Sequence, residues 1–182
     1  MSQTMTAKMK PLYDYLDGLT GQADQQKLGA VLEELNVSAE DLAEFVHFEE
    51  GHYARNLLRA SEHFHALLLC WRSGQRTPIH NHPDAVGGIR VIQGTATETL
   101  FEWTPSRLLK ATHSRDLETG GVVTLVDPYV HQISNLQAPE HDLITLHVYS
   151  PPLLQMDTFS LTDRQVGEFR PSVYDHEAGS GI

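Results

Sequence analysis

The part of the chain after Gly51 constrains the fold most, because it consists of short apolar runs separated by Gly, Pro, Asn and Asp. Residues 64–71 are largely apolar on both alternating faces, which is typical of a strand buried in a sandwich or barrel. Six further runs have the length of strands: 88–93, 96–103, 108–114, 122–126, 130–135 and 143–149. Short strands at such regular spacing predict a mainly β fold, either a sandwich or a small barrel.

The first fifty residues have a helical pattern instead. Apolar side chains recur at helical spacing in two segments, Leu12, Tyr15, Leu16 and Leu19 in the first and Leu28, Val31, Leu32 and Leu35 in the second. Ser38 and Asp41 then resemble a capping box, which predicts a third helix carrying Leu42, Phe45 and Val46. We expect these helices to be packing elements, because they lack a dense polar cluster.

Length and charge limit the organisation and the partners. The 182 residues suit a single domain, in which we assign 1–50 to N-terminal helices, 51–165 to the barrel and 166–182 to a C-terminal tail. The net charge of −11 argues against nucleic acid and membrane surfaces as partners. The lone cysteine, Cys70, excludes an intrachain disulfide and favours the cytoplasm. The oligomeric state stays open.

Two histidines mark the candidate functional site. Side chains in a strand alternate between its faces, so His80 and His82 point to one side and Asn81 to the other. Neutral imidazole is the commonest ligand of transition metals in proteins, and two rings so placed can share one ion. The best partner elsewhere is His131, which follows a turn and begins a predicted strand. The sequence therefore predicts a metal site made of these three histidines.

The residues around the histidine pair resemble the first motif of the cupin family. Gly74, five further residues, His80-x-His82 and then Gly94 have the spacing of that motif. The motif usually also supplies a glutamate ligand, and Gly87 stands at that position here. The resemblance therefore implies a metal site without a carboxylate from this motif.

The spacing of Gly120, His131 and Asn135 resembles that of the second cupin motif. Cupins are small β-barrels or jelly rolls that hold a metal ion inside, with histidine ligands from both motifs. The resemblance thus implies that the predicted barrel is a cupin and that His131 is the third ligand.

Three histidines without a carboxylate resemble, within the cupins, the thiol dioxygenases and above all the bacterial cysteine dioxygenases. The similarity extends over about residues 53–153, and the matching stretches are Tyr53-Ala54-Arg55-Asn56, Cys70-Trp71, His80-Asn81-His82, 94–101 and 146–152. The resemblance implies an Fe(II) cofactor and the oxidation of L-cysteine by O2 to cysteine sulfinic acid. A small-molecule thiol and O2 would be the reactants.

The same resemblance assigns the substrate-binding residues. Arg55 matches the family residue that holds the substrate carboxylate, a role that suits the forked guanidinium group. Relatives that prefer 3-mercaptopropionate have Gln there, so Arg55 favours cysteine. The alternative for a lone arginine is a surface salt bridge. Tyr53 matches a tyrosine of the substrate pocket.

A third set of residues matches a Ser-His-Tyr relay of the family. Thr145, His147 and Tyr149 lie two residues apart and so share one strand face, with Thr in place of Ser. The resemblance implies that His147 orients the Tyr149 hydroxyl near the substrate and oxygen. The alternative is a core strand whose polar groups merely satisfy one another.

One position departs from the mammalian members of the family, which have a cysteine cross-linked to the relay tyrosine. Gly87 occupies that position and has no side chain, so this cross-link cannot form here. We interpret Cys70, in the apolar strand, as a small core residue.

Two other functions stay open on the sequence. The same mechanism could act on 3-mercaptopropionate or mercaptosuccinate, because Arg55 can bind any carboxylate. The chain could also be a non-catalytic metal-binding cupin that acts as a sensor. The relay residues and Arg55 argue against the sensor, which needs neither.

Overall fold

The structure is a computed structural model that describes residues 3–126, 128–175 and 180–181. Two helices open the chain, α1 at Gln3–Asp17 and α2 at Gln25–Glu34. The Asp24 side chain caps α2 by accepting a hydrogen bond of 2.9 Å from the Lys27 backbone N–H. Both helices confirm the prediction from apolar spacing.

The predicted third helix is wrong, because only a 3-10 turn forms at Ala43–Phe45. The capping residues do interact, since the Asp41 carboxylate accepts hydrogen bonds from the Ser38 N–H at 2.9 Å and hydroxyl at 2.8 Å. One tight turn already buries Leu42 and Phe45, after which the chain extends toward the first strand. The local start signal therefore leads to a turn, and tertiary packing ends it before a helix develops.

The rest of the described chain forms the strands β1 Ala54–Ala60, β2 His65–Trp71, β3 Ile79–His80, β4 Val86–Gln93, β5 Thr95–Trp103, β6 Leu109–Glu118, β7 Val122–Leu125, β8 Val130–Ser134, β9 Leu143–Ser150, β10 Met156–Phe159, β11 Val166–Phe169, β12 Tyr174–Asp175 and β13 Ser180–Gly181. The seven predicted strands correspond to β2, β4, β5, β6, β7, β8 and β9. The short strand expected at His80 and His82 is β3, which ends at His80, so that His82 lies just beyond it. The sequence pattern missed β1, whose residues include two arginines and an asparagine.

These strands make two sheets whose inner faces share a core. The first sheet has the order β13-β12-β1-β2-β9-β4-β7, and the second has the order β11-β10-β3-β8-β5-β6. Ile89 and Leu125 of the first sheet lie in one apolar cluster with Ala96, Ile133 and Met156 of the second. The functional site lies between the sheets, beside this cluster.

Both helices cover the outer face of the first sheet. Apolar residues of α1 and α2 form one cluster with the outward-facing side chains of β2 and β9, among them Leu28 and Leu32 on the helix side and Leu68, Cys70 and Val148 on the sheet side. Cys70 is fully buried there, and burial raises the pKa of its thiol to about 12. The helices therefore cover the sheet on the face that does not hold the site.

The C-terminal residues add two strands to the edge of the first sheet. Within them β12 runs parallel to β1, with Tyr174 opposite Asn56. Part of the C-terminal tail expected at 166–182 lies outside the described residues, which there include only 166–175 and 180–181. Its first residues form β11, at Val166–Phe169. Among the helices of the described ranges, none has the length and apolar character needed to cross a membrane.

Candidate metal centre and active site

The three predicted histidines come together on the second sheet. His80 ends β3 and lies opposite His131 of β8 in the antiparallel ladder, and His82 follows two residues later. All three are almost completely buried. Their possible ligand atoms lie within 4.8 Å of one another, and the two Nε2 atoms of His80 and His82 are 3.2 Å apart. Two nitrogens bound to one metal ion at right angles would be about 3 Å apart.

On two of the histidines, hydrogen bonds determine which ring nitrogen has a free lone pair. The Nδ1 of His80 contacts the carbonyl oxygen of Pro78 at 2.9 Å. A carbonyl only accepts, so Nδ1 carries the ring hydrogen and Nε2 has a free lone pair. The Nδ1 of His131 donates in the same way to the Glu98 carboxylate at 2.9 Å, and its buried Nε2 has no partner among the described residues.

The protonation state also suits a metal. Burial lowers the pKa of both His80 and His82 well below the usual histidine value, so these rings are neutral at pH 7. Neutral imidazole is the form that binds metal ions. The buried, unpartnered Nε2 of His131 is the kind of atom that a metal ion would satisfy. The donor set therefore fits a divalent transition metal held by three nitrogens.

Glu98, on β5, is a functional residue that the sequence reasoning missed. It is completely buried, and its second oxygen accepts from Arg115 Nη2 at 2.6 Å. Burial raises the pKa of Glu98, but the hydrogen bonds from His131 and Arg115 and the charge of Arg115 outweigh it and lower the pKa overall. A carboxylate behind a ligating histidine fixes the ring orientation. Its signal in the sequence was a charged residue on the core-facing side of a strand, two residues after Ala96.

The relay residues lie on the inner face of the first sheet and form a hydrogen-bonded chain. On β9, the Thr145 hydroxyl is 2.9 Å from Nε2 of His147, and Nδ1 of His147 is 2.9 Å from the Tyr149 hydroxyl. Burial and then the Arg55 charge lower the pKa of His147 well below the usual value. The Tyr149 ring stacks on His82 with centroids 5.4 Å apart, so the chain ends beside the histidine cluster.

Burial keeps the relay tyrosine protonated. It raises the pKa of Tyr149 to about 12, although the nearby Arg55 charge acts in the opposite direction. The hydroxyl therefore carries a hydrogen at neutral pH and can donate it. Thr145 is linked to this hydroxyl through the His147 ring.

Arg55 enters the same space from β1. Its side chain is 5% exposed, and its Cζ lies 5.9 Å from the centre of the Tyr149 ring. Both Nε and Nη2 are buried without a hydrogen-bond partner among the described residues. The surface salt bridge considered from sequence is therefore wrong for this arginine. A buried guanidinium with free donors is instead suited to an anionic ligand.

Tyr53 precedes Arg55 by two residues and shares its inward side. Its ring stacks on Trp71 at 4.2 Å between centroids, and its hydroxyl has no hydrogen-bond partner within the described ranges. Trp71 was not predicted as a site residue, yet its indole N–H donates to the Thr145 hydroxyl at 2.9 Å. Contacts between neighbouring side chains thus connect all the sequence-predicted site residues, and Glu98 and Trp71 extend the set.

Gly87 lies opposite Tyr149 in the pairing of β4 with β9. A Cβ atom built on it would be 3.6 Å from two carbons of the Tyr149 ring, so a side chain at this position would touch the tyrosine. Cys70 points to the other face of the first sheet, among the helix-covered apolar residues. The lone cysteine of the chain is therefore remote from the relay.

The chain is similar to known proteins over most of its length. The chain is 27% identical over 169 residues to cysteine dioxygenase type 1 of Danio rerio. The aligned region covers 87% of this chain and 84% of the Danio rerio protein. It is also 27% identical to cysteine dioxygenase type 1 of Rattus norvegicus, over 91% of this chain and 82% of the rat protein.

Solved structures give the fold. TT1209 from Thermus thermophilus aligns with a TM-score of 0.52 at 17% identity, over 61% of this chain and 94% of that protein. An uncharacterized protein with a double-stranded β-helix domain from Klebsiella pneumoniae aligns with the same TM-score and identity, over 75% of this chain and 92% of its own. The fold is thus the cupin barrel that the sequence predicted. The cysteine dioxygenase type I family model matches residues 1–162, and the chain therefore belongs to this family.

Proposed function

We propose that this protein is an Fe(II)-dependent thiol dioxygenase that oxidises L-cysteine with O2 to cysteine sulfinic acid. The observation that carries the proposal is the pairing of two unusual features in one buried space. Three histidine rings place possible ligand nitrogens within 4.8 Å of one another. Beside them, Arg55 is buried over the Tyr149 ring with guanidinium donors that have no partner among the described residues. Together they suit a ligand that has both a metal-binding group and a carboxylate. Membership of the cysteine dioxygenase family supports the same reaction.

His80, His82 and His131 would hold the metal ion, and their neutral rings would leave its double positive charge uncompensated. Bound Fe(II) would supply the redox chemistry for O2 and a soft-ligand position for the substrate sulfur. Glu98 would hold His131 in the orientation that this binding needs. The buried walls would exclude bulk water from the reaction.

The protein would fix the substrate at its other end. Arg55 would pair with the carboxylate of cysteine, and Tyr53 would line the pocket beside it. In the overall reaction both atoms of O2 become bonded to sulfur, so that the thiol RSH becomes the sulfinic acid RSO2H. No further oxidant or reductant is needed, because O2 accepts the four electrons that sulfur loses.

Tyr149 would hold a hydrogen at the reacting atoms. Its hydroxyl stays protonated through burial and is anchored by His147. We propose that it donates a hydrogen bond to the sulfur or oxygen atoms as charge develops on them. Thr145 would act behind His147 rather than touch the substrate.

Another carboxylated thiol is the second candidate. 3-Mercaptopropionate and mercaptosuccinate present a thiol and a carboxylate, and Arg55 could bind either. A non-catalytic metal-binding cupin is a weaker candidate, since it would need neither the relay chain nor a buried arginine. We further infer a small-molecule thiol and O2 as the reactants, no nucleic acid or membrane partner, and a cytoplasmic location, which the net charge of −11 and the lone cysteine support.

The test compares three thiols in the native protein and in Arg55→Ala. Cysteine should be the best native substrate, followed by 3-mercaptopropionate and by cysteamine, which lacks the carboxylate. Loss of the buried pair should raise the activation free energy that corresponds to kcat/KM for cysteine by about 3–5 kcal/mol. The increase for cysteamine should be far smaller. Oxygen uptake by the iron-loaded protein is the measurement.

Arg59→Ala provides the matched control. Arg59 lies on the same strand, pairs with Asp17 at 2.6 Å on the surface and should leave all three kcat/KM values unchanged. Equal losses for cysteine and cysteamine in Arg55→Ala would show that Arg55 is structural. A native preference for 3-mercaptopropionate or mercaptosuccinate would assign the second candidate instead, and no uptake with any thiol would favour a binding protein.

A further inference from the structure

The relay chain extends one residue further than the sequence indicated, to the indole of Trp71. Three consecutive hydrogen bonds of 2.9 Å join Trp71 Nε1, Thr145 Oγ1, the His147 ring and Tyr149 Oη. All four side chains are buried. Because the chain is shielded from solvent, each hydrogen in it has few alternative partners.

The indole determines which way the hydrogens point. An indole N–H can only donate, so it occupies a lone pair of the Thr145 oxygen. The indole cannot accept the Thr145 hydrogen, and among the described residues the only other hydrogen-bond partner of this hydroxyl is Nε2 of His147. If Nε2–H donated instead, the oxygen would accept twice and its own buried hydrogen would have no acceptor there, so Nε2 accepts the Thr145 hydrogen. A neutral imidazole whose Nε2 accepts carries its own hydrogen on Nδ1. That Nδ1–H donates to the Tyr149 oxygen, and the Tyr149 hydrogen is left pointing away from His147.

The reverse direction would give a different active site. If Thr145 accepted from Nε2–H, then Nδ1 of His147 would accept from the Tyr149 hydroxyl. Tyr149 would then present only oxygen lone pairs to the space shared with the histidine cluster and Arg55. Thr145 by itself permits both directions, since a hydroxyl donates and accepts. Without the indole N–H the two directions would compete.

We propose that the Trp71 N–H fixes the direction of this chain, so that the Tyr149 hydroxyl keeps its hydrogen for the reactants. Trp71 is in this sense a positioning residue that acts through Tyr149. The stacking of Tyr53 on the indole, at 4.2 Å between centroids, holds the donor in place. The consequence for turnover rests on the proposed function, whereas the hydrogen-bond direction itself does not.

The direct test is the tautomer of His147. Full-length protein labelled with 15N-histidine and loaded with Zn(II), which is diamagnetic, is measured by long-range 1H–15N correlation. The His147 signals are identified by their loss in His147→Gln. The native protein should show hydrogen on Nδ1, and a native Nε2–H tautomer would overturn the proposal without any further variant.

Trp71→Phe then removes the donor but keeps an aromatic ring to stack on Tyr53. The His147 signals should change to the Nε2–H tautomer or to a mixture of the two. Trp103→Phe is the matched control, because Trp103 is the other tryptophan, is half exposed and lies away from the site, and its loss should leave the tautomer unchanged. An unchanged Nδ1–H tautomer in Trp71→Phe would refute the role of the indole.

Kinetics separate a positioning role from a merely structural one. In the iron-loaded protein, Trp71→Phe should lower kcat roughly tenfold and change KM for cysteine less than twofold. Added to Tyr149→Phe, the same substitution should cost nothing further, because Tyr149 then has no hydrogen to direct. A further loss of similar size in the double variant would contradict action through Tyr149. If no thiol is turned over, the tautomer still decides the inference.

Discussion

The two sides of the site present opposite hydrogen-bonding character. On the histidine side, formed by His80, His82 and His131, two ring N–H groups are bound by acceptors behind them, and lone pairs face inward. On the relay side, formed by Arg55, Thr145, His147 and Tyr149, the Arg55 guanidinium has free donors and the Tyr149 hydroxyl is protonated. A space with acceptors on one wall and donors on the other can hold a cation and an anionic ligand against each other.

The two sides also differ in what supports them. His131 is held by a buried carboxylate, Glu98, whose charge is compensated by Arg115 at the solvent edge. The relay side is supported by neutral groups, namely the Trp71 indole and the Thr145 hydroxyl. Charged support is worth more per contact than neutral support. Because the metal ligands all lie on the histidine side, changes there should affect metal binding. Changes on the relay side should affect turnover with the metal still bound.

The largest effect is expected for His131→Ala, which removes one of the three ligands. Iron content should fall from one ion per chain to a small fraction, and oxygen uptake with cysteine should disappear. His113→Ala, on the exposed part of β6, is the control and should retain both. Elemental analysis of the purified proteins is the measurement. Full iron occupancy in His131→Ala would exclude this triad.

On the relay side, Tyr149→Phe should separate turnover from metal binding. The variant should fold and keep its iron, but the activation free energy for kcat should rise by about 2–4 kcal/mol. This is the value of a hydrogen bond made mainly in the transition state. Tyr15→Phe, on α1 and away from the site, serves as the control. Native turnover in Tyr149→Phe would mean that the hydroxyl has no role in the reaction.

Glu98→Gln tests the supporting layer of the histidine side. The amide can still accept from His131 but carries no charge, so affinity for the metal should fall by about 10–100-fold. Competition with a chelator, using Co(II) or Zn(II), measures this without turnover. Glu102→Gln, an exposed carboxylate on the same strand, should leave affinity unchanged. If both variants bind equally well, the carboxylate does not support the ligand.

Sequence reasoning reached the residues of this site whose spacing is local. Thr145, His147 and Tyr149 are two residues apart within β9, so strand geometry alone puts them on one face. His80 and His82 have the same spacing and do lie together, although β3 ends at His80 and the turn after it positions His82. His131 was chosen as the third ligand because it follows a turn and begins a predicted strand, whereas Arg55 and the relay were assigned from the family resemblance. Long-range pairing brings them together, for example His80 opposite His131 and Tyr149 opposite Gly87.

The residues that were missed depend on contacts between strands that no local pattern reveals. Glu98 contacts His131 across a distance of 33 residues, and Trp71 contacts Thr145 across 74. The third helix was predicted from a capping pattern that the structure uses for a turn. β1 was missed as a strand because a polar residue, Asn56, interrupts the apolar pattern of its outward face. The Asn56 amide donates there to the His47 carbonyl oxygen.

The smallest expected effect comes from a comparison of the two faces of β4. Gly87 faces the relay, where a Cβ would lie at ordinary contact distance, 3.5 Å from Leu125 and 3.6 Å from the Tyr149 ring. Gly88 faces the helices, where a Cβ would lie 2.6 Å from Leu32 and 3.0 Å from Leu28. Real side chains do not approach so closely, so Gly88→Ala must displace α2 or its leucines.

We therefore expect Gly88→Ala to lower the free energy of unfolding by about 1–3 kcal/mol, the usual cost of overpacking a core. Gly87→Ala should change it by less than about 1 kcal/mol, and should leave the Tyr149 hydroxyl and its partners in place. Urea denaturation of both variants measures the difference. Equal destabilisation would show that the relay face is packed as tightly as the helix face.

The mass of the intact native protein tests a related expectation for the same position. Because Gly87 has no side chain to cross-link with Tyr149, the mass should equal that of the sequence, without the loss of two hydrogens. A mass lower by two hydrogens would contradict this expectation.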